Sequence, residues 1–113
     1  MKIQKKDYPL LCPKPDFSER IRQGYTKASQ AADYLKNEYS VKKVLLFGSL
    51  VDNEFFHKHS DIDIAVDGLP EKNYYKAIGE VMGLIGDFAI DIVDLNACNP
   101  DFRKKIIRES VEL

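Results

Sequence analysis

The sequence predicts an α/β domain in two or three layers, with a small sheet at its centre and helices packed against it. Segments with an apolar residue every three or four positions, typical of amphipathic helices, are interspersed with short apolar or alternating segments typical of strands. Their order along the chain is helix–strand–strand–helix–strand–helix. The length of 113 residues is that of one domain with a single core.

The first predicted helix begins at Asp16, which can form a capping pair with Glu19. Residues 1–15 contain three prolines and are expected to form an extended arm, which leaves a single domain over residues 16–113. Helical spacing places seven apolar or aromatic side chains on the buried face of this helix: Phe17, Ile21, Tyr25, Ala28, Ala32, Leu35 and Tyr39.

Two strands are predicted after the first helix. Residues 44–47 (Val-Leu-Leu-Phe) form a short apolar run closed by Gly48, and this length favours a strand covered on both faces. Residues 61–66 (Asp-Ile-Asp-Ile-Ala-Val) alternate with the period of two that is expected of a strand.

The rest of the chain predicts a helix, a strand and a helix. The second helix ends at Gly86, and residues 88–95 form the third strand. Asn99 is a suitable cap for the last helix, and Pro100 suits its first position. The side chains expected to be buried are Tyr74, Tyr75, Ile78, Val81, Met82 and Ile85 in the second helix, and Phe102, Ile106, Ile107 and Val111 in the last.

The net charge of −1 conceals an uneven distribution of charge. Residues 1–60 carry 11 Lys or Arg against 7 Asp or Glu, whereas residues 61–113 carry 6 against 11. Residues 61–94 alone have 8 acidic and 2 basic side chains. This acidic centre argues against direct nucleic-acid binding, which needs clustered positive charge, and it fits a site that attracts a cation.

The composition also bears on the compartment. The sequence has no apolar run of the roughly 20 residues that cross a bilayer, and its first residues lack the apolar stretch of a signal peptide. Cys12 and Cys98 lie far apart and show no metal-binding spacing. We therefore expect a cytoplasmic protein without a disulfide framework and without a membrane partner.

Asp61 and Asp63 are candidate metal ligands, because residues two apart on a strand project from the same face, with Cα atoms roughly 7 Å apart. Two carboxylates about 4 Å apart at an effective dielectric near 20 repel by roughly 4 kcal/mol, which a divalent cation such as Mg²⁺ relieves. The alternative is a pair of solvated surface carboxylates. Asp91, between two isoleucines of the third strand, is a candidate third ligand; Asp94 is interpreted as a cap or surface group, with the third-ligand role as its alternative.

The turn Gly48-Ser49 directly follows the first predicted strand. Glycine allows close approach of the backbone, and the turn exposes amide N–H groups and a hydroxyl that can hold phosphate oxygens. A Gly-Ser turn alone is common. Combined with the three aspartates on the following strands, it predicts a turn that cradles a triphosphate beside a metal site.

The pattern Leu-Phe-Gly-Ser at 46–49, Ser-Asp-Ile-Asp-Ile-Ala-Val at 60–66 and Asp-Ile-Val at 91–93 resembles the minimal nucleotidyltransferases of the DNA polymerase beta superfamily. The resemblance extends over residues 17–113. Among bacterial proteins, the chain is similar to the MNT antitoxins encoded beside a HEPN-domain toxin. The resemblance implies a polymerase beta-like palm fold with a small central mixed sheet. It also implies ATP and Mg²⁺ as cofactors and transfer of AMP to a tyrosine of the HEPN ribonuclease, which silences that toxin.

Carried over by position, the resemblance assigns the nucleotide phosphates to Gly48 and Ser49. It assigns the metals to Asp61 and Asp63, and to Asp91 the completion of the metal site and activation of the attacking hydroxyl. The chain departs from the family in the loop after the serine: residues 50–60 number eleven where ten are common, and Leu-Val-Asp-Asn replaces the usual Arg and Gly.

That departure supports a second hypothesis, a binding antitoxin that neutralises its partner by contact without catalysis. A third, nucleotide transfer to a small molecule such as an aminoglycoside, is disfavoured because relatives with that activity generally carry an additional helical domain. Two further groups of side chains are interpreted as solvated surface, with a metal or phosphate contact and an acidic partner or RNA as their respective alternatives: His57 and His59, and the basic residues Arg103, Lys104, Lys105 and Arg108.

Overall fold

The computed structural model describes residues 17–52 and 61–113. The six predicted elements are present in the predicted order, and a short fourth strand follows them. The elements are α1 (Ser18–Tyr39), β1 (Lys43–Phe47), β2 (Ile62–Asp67), α2 (Tyr74–Ile85), β3 (Ile90–Asp94), α3 (Pro100–Glu109) and β4 (Val111–Glu112). The predicted arm over residues 1–15 and the predicted cap at Asp16 lie outside the described residues.

The four strands form one mixed sheet in the order β3-β2-β1-β4. β1 is antiparallel to both β2 and β4, whereas β2 and β3 are parallel. In the centre of the sheet Leu46 pairs with Ile64, and Ile64 pairs with Ile92. Paired residues share a face of the sheet, so these three side chains form a continuous apolar row.

The helices lie on both faces of the sheet, which makes three layers. α1 and α2 cover one face and form the main core with alternate residues of the strands, among them Val44, Leu46, Ile62, Ile64, Val66 and Ile92. α3 covers the other face, where Ile106 packs against Leu45, Ala65 and Leu95. The alternation of side chains along each strand thus separates a large core from a small one.

α1 is positioned by the predicted apolar stripe, whose members are buried or pack against the main core. Gly24 lies in the middle of this stripe, and a Cβ atom there would stand 2.6 Å from Leu50 Cδ2. Leu50 is fully buried and ends the 3₁₀ turn Gly48–Leu50. The glycine therefore allows this turn to pack against α1, at the end of β1.

The structure corrects the predicted burial of two side chains in α2. Tyr75 and Met82 are 84% and 50% exposed. The other predicted residues are confirmed: Val81 and Ile85 are buried, together with Ala77, and Tyr74 and Ile78 pack against the main core.

The structure also corrects the end of the last helix. Asn99 caps α3 as predicted, accepting hydrogen bonds from the amides of Asp101 and Phe102. Ile106 is buried, but Phe102 and Ile107 are substantially exposed. Val111 does not belong to the helix, because the backbone becomes extended at Ser110 and residues 111–112 pair with the free edge of β1. None of the described helices combines the length and apolarity needed to span a membrane.

Candidate active site

Three carboxylates stand at the end of the sheet where β1 ends and β2 and β3 begin. Asp63 and Asp91 are paired in register on the parallel strands, so their side chains lie on the same face. Asp61 precedes β2 by one residue, two positions before Asp63. Ile62 and Ile64 are fully buried on the opposite face, as the alternation predicted.

The surroundings of Asp63 disfavour its ionised form. Burial, and then the neighbouring carboxylates of Asp91 and Asp61, raise the pKa of Asp63 from 3.8 to about 6. In the described part of the chain, no three Asp, Glu, His or Cys side chains enclose a point where a metal ion could bind as they stand. The chemistry of the site nevertheless fits a divalent cation, because hard oxygen ligands are preferred by Mg²⁺ and a cation would relieve the repulsion at Asp63.

The turn that follows β1 brings the backbone against Asp63. Gly48 has a φ of +79°, and a Cβ atom on it would lie 3.1 Å from Asp63 Cγ and closer still to Oδ2. The Gly48 carbonyl accepts hydrogen bonds from the amides of Val51 and Asp52, at 3.0 and 2.9 Å. Ser49, the next residue of the turn, is half-buried. Glycine is thus required twice at position 48, for its backbone conformation and for contact with the carboxylate.

A cleft of about 380 Å³ opens beside this turn, between the turn and α3. Gly48 and Ser49 form one side of it, and Phe102 and Lys105 of α3 the other. The rings of Phe47 and Phe102 meet edge to face, with centroids 6.1 Å apart. Sequence reasoning missed both α3 residues, because only the docking of this helix onto the sheet shows that they reach the Gly-Ser turn.

Asp94 lies on the other face of the sheet from Asp91. Its register partner is Val66, a main-core residue, and its Oδ1 atom accepts a hydrogen bond of 2.9 Å from the amide of Asn96. Its side chain therefore caps the turn after β3. His57 and His59 lie outside the described residues.

The family described as "Polymerase beta, Nucleotidyltransferase" matches residues 29–113. The chain belongs to this nucleotidyltransferase family. The matched region contains the Gly-Ser turn and all three aspartates of the candidate site. No curated protein sequence matches the chain.

Solved structures show the same nucleotidyltransferase fold. A minimal nucleotidyltransferase matches with a TM-score of 0.67 and 23% identity, covering 82% of this chain and 95% of that one. A toxin–antitoxin complex with AMP-PNP matches with a TM-score of 0.62 and 22% identity, over 74% and 69% of the two chains. A complex of the tri-AMPylated HEPN toxin of Shewanella oneidensis with its MNT antitoxin matches with a TM-score of 0.60 and 18% identity, over 79% and 70%.

Proposed function

We propose that this chain is a Mg²⁺-dependent nucleotidyltransferase that transfers AMP from ATP to a partner protein and acts as the antitoxin of a HEPN-type ribonuclease toxin in the cytoplasm. One observation carries the proposal: Asp63, paired in register with Asp91, lies directly against Gly48 of the turn. A candidate metal platform and a candidate phosphate-binding turn therefore adjoin each other. Family membership and the fold shared with MNT–HEPN complexes support it.

In this proposal each part of the site has a separate task. The amides of the turn at Gly48 and the Ser49 hydroxyl hold the nucleotide phosphates. Lys105, which lines the adjoining cleft, supplies a positive charge in place of the arginine that the loop after Ser49 lacks. Asp61, Asp63 and Asp91 would hold Mg²⁺, with the exposed side chains of Asp61 and Asp91 free to turn toward Asp63. When bound, Mg²⁺ would supply charge neutralisation at the phosphates and at the attacking and leaving oxygens.

The reaction is an in-line substitution at the α-phosphorus of ATP. The hydroxyl oxygen of an acceptor tyrosine forms a bond to that phosphorus, and the bond to the oxygen that bridges to the β-phosphate breaks. The products are the tyrosyl-AMP ester and pyrophosphate. Asp91 accepts the hydroxyl proton, because its exposed carboxylate stands at the edge strand, where an acceptor can approach.

The test combines the purified chain with labelled ATP, Mg²⁺ and the product of the neighbouring gene. We expect label on that protein with the wild-type chain, and a loss of at least about 100-fold with Asp61→Asn or Asp63→Asn. Asp33→Asn is the matched control, since this exposed aspartate of α1 lies away from the site. Equal labelling by wild type and by the Asp61 and Asp63 variants would refute the assignment.

A binding antitoxin without catalysis is the second candidate. Two observations favour it: among the described residues no three Asp, Glu, His or Cys side chains are placed to hold a metal ion together, and the loop after Ser49 lacks the family's usual arginine. This candidate requires the double variant Asp61→Asn/Asp63→Asn to bind and inhibit the toxin as the wild type does. Retained binding with lost inhibition would exclude it.

A further inference from the structure

A second cleft of about 390 Å³ runs along β3, an edge strand that pairs only with β2 among the described residues. Tyr74 and Tyr75 at the start of α2, together with Glu71 just before it, line one side of this cleft. Asp91 and Asp94 of β3 line the other. Because Asp91 belongs also to the candidate active site, the cleft adjoins that site.

The cleft has a charge of one sign. Of the nine described residues that line it, three are acidic and none is basic. Glu71 is exposed, and Asp91 and Asp94 stand near opposite ends of β3. Positive charge on a ligand is therefore favoured where it meets these carboxylates, and an anionic segment is disfavoured.

The two tyrosines give the cleft a fixed aromatic wall. The Tyr74 hydroxyl donates a hydrogen bond to the Ile92 carbonyl, which holds this ring against the edge strand. Tyr75 packs edge to face on Tyr74 with ring centroids 5.3 Å apart, and 84% of its surface is exposed. An exposed aromatic face beside carboxylates suits an arginine or lysine side chain, which combines a cation–π contact with an ion pair.

Two backbone carbonyls of β3 along the cleft already accept hydrogen bonds from within the chain, which affects how a ligand can bind. The Ile92 carbonyl accepts the Tyr74 hydroxyl, and the Asp94 carbonyl accepts the amide of Ala97 at 3.1 Å. These contacts leave an incomplete row of acceptors for an added strand. Recognition in this cleft therefore depends on side chains more than on backbone pairing.

We propose that this cleft binds a basic segment of the acceptor protein, with an arginine or lysine side chain against Tyr75 and paired with Glu71 or Asp94. The inference rests on the proposed function in that the segment belongs to the protein that receives AMP. A segment seated there delivers a neighbouring hydroxyl to Asp91, at the end of the cleft that meets the candidate active site.

The test uses a peptide, so that it needs neither ATP nor Mg²⁺. The ¹⁵N-labelled chain is titrated with the capped peptide Gly-Arg-Tyr-Arg-Gly and with its counterpart carrying Glu in place of both Arg. We expect the basic peptide to shift amides in residues 71–75 and 91–98, with affinity that falls as salt rises, and the acidic peptide to shift none of them. Tyr75→Ala or Glu71→Lys weakens binding of the basic peptide by about fivefold or more.

Two controls match these variants: Met82→Ala, another exposed side chain of α2, and Asp33→Asn on α1. Both are expected to bind the peptide as the wild type does. No binding, equal binding of the acidic peptide, or shifts confined to another surface such as α3 would overturn the inference. If labelled AMP transfer fails but the peptide binds as described, the proposed function fails and the cationic-segment site stands.

A kinetic measurement separates docking from chemistry. Tyr75→Ala should raise the KM for the protein acceptor about fivefold or more and leave kcat and the KM for ATP unchanged. A fall in kcat with an unchanged acceptor KM would contradict a docking role for Tyr75.

Discussion

Burial and two neighbouring carboxylates both disfavour the negative charge on Asp63. The raised pKa means that the carboxylic acid is stabilised relative to the carboxylate in the folded chain. Below about pH 4 the group is protonated in both folded and unfolded states, and above about pH 6 it is ionised in both. The metal-free protein therefore loses stability as the pH rises between these values.

Replacement of Asp63 by asparagine should reverse that loss. We expect Asp63→Asn to raise the free energy of unfolding of the metal-free protein by about 1–3 kcal/mol at pH 8 and by much less at pH 4. Urea unfolding in EDTA measures it. Excess Mg²⁺ should stabilise the wild type and not the variant, since only the folded wild-type site binds the ion tightly. A variant less stable than wild type at pH 8 in EDTA would contradict this account.

Gly48 should tolerate no side chain, for reasons of both strain and space. Gly48→Ala forces a Cβ atom against the Asp63 carboxylate at a positive φ, so we expect a loss of about 1–3 kcal/mol in stability and of nucleotide binding. Gly79→Ala is the control: no heavy atom lies within 4 Å of its added Cβ, and its place inside α2 predicts a gain of about 0.5–1 kcal/mol. Thermal unfolding and AMP-PNP titration measure both, and wild-type behaviour of Gly48→Ala would contradict the assignment.

At the scale of elements, the sequence predicted strand faces and helix ends correctly where a single local pattern determines them. The alternation around Ile62 and Ile64 predicted which face of β2 is buried, and Asn99 with Pro100 predicted the start of α3. The exposure of Tyr75 could not be predicted in this way, because apolar residues cover more than one side of α2 and only its docking selects the buried side. The pairing of β4 with β1 depends likewise on contacts between distant residues.

The candidate site was predicted in part for the same reason. The spacing of Asp61 and Asp63 places both carboxylates on one side of a strand, but their separation from Asp91 depends on the parallel pairing of β2 with β3. The position of Lys105 beside the Gly-Ser turn depends on the packing of α3 over the sheet. No local pattern in the sequence contains that information.

The two helices that cover the main core are joined by a polar clamp. The hydroxyls of Tyr34 and Tyr39 in α1 both donate hydrogen bonds to Glu80 Oε1 in α2, the first at 3.0 Å. These bonds lower the pKa of Glu80, and the bond to Glu80 raises the pKa of Tyr39 to about 12. The clamp therefore needs Glu80 ionised and Tyr39 protonated.

This requirement predicts a decline in stability at both extremes of pH. The contribution of Glu80 is present above about pH 4.5 and is lost as the pH falls, whereas that of Tyr39 is present below pH 10 and is lost as the pH rises through about 12. Tyr39→Phe should flatten the alkaline decline and destabilise the protein less than Leu35→Ala in the core. Thermal unfolding between pH 3 and 12 measures this, with exposed Tyr75→Phe as the control; an unchanged alkaline decline in Tyr39→Phe would contradict the role of the clamp.

At the scale of the whole molecule, the two faces of the sheet differ in the size of the core that stabilises them, and the cleft beside the Gly-Ser turn lies on the face with the smaller core. Among the described residues, 17 are buried in the core on the face that α1 and α2 cover, and 4 are buried on the face under α3. α3 contributes one buried side chain, Ile106, and an edge-to-face contact of Phe102 with Phe47. Few buried contacts mean a small free energy of local opening, so α3 is expected to open without unfolding of the sheet.

α3 also forms one wall of the cleft beside the Gly-Ser turn, so its opening bears on nucleotide binding. Amide hydrogen exchange should be faster in residues 103–109 than in the buried strands β1 and β2, and a nucleotide held between turn and helix should slow it. We expect Mg²⁺ with AMP-PNP to reduce exchange in α3 more than in α1. Ile106→Ala should speed exchange in α3 and weaken nucleotide binding, at a cost of about 2–5 kcal/mol in the opening of this helix.

Ile107→Ala is the matched control, since the neighbouring side chain is 53% exposed. It should leave both the exchange rates of α3 and the affinity for AMP-PNP unchanged. Exchange in α3 as slow as in β2, or nucleotide protection confined to α1 and α2, would contradict this distribution of stability, because either result requires the helix to be held by more than the small core beneath it.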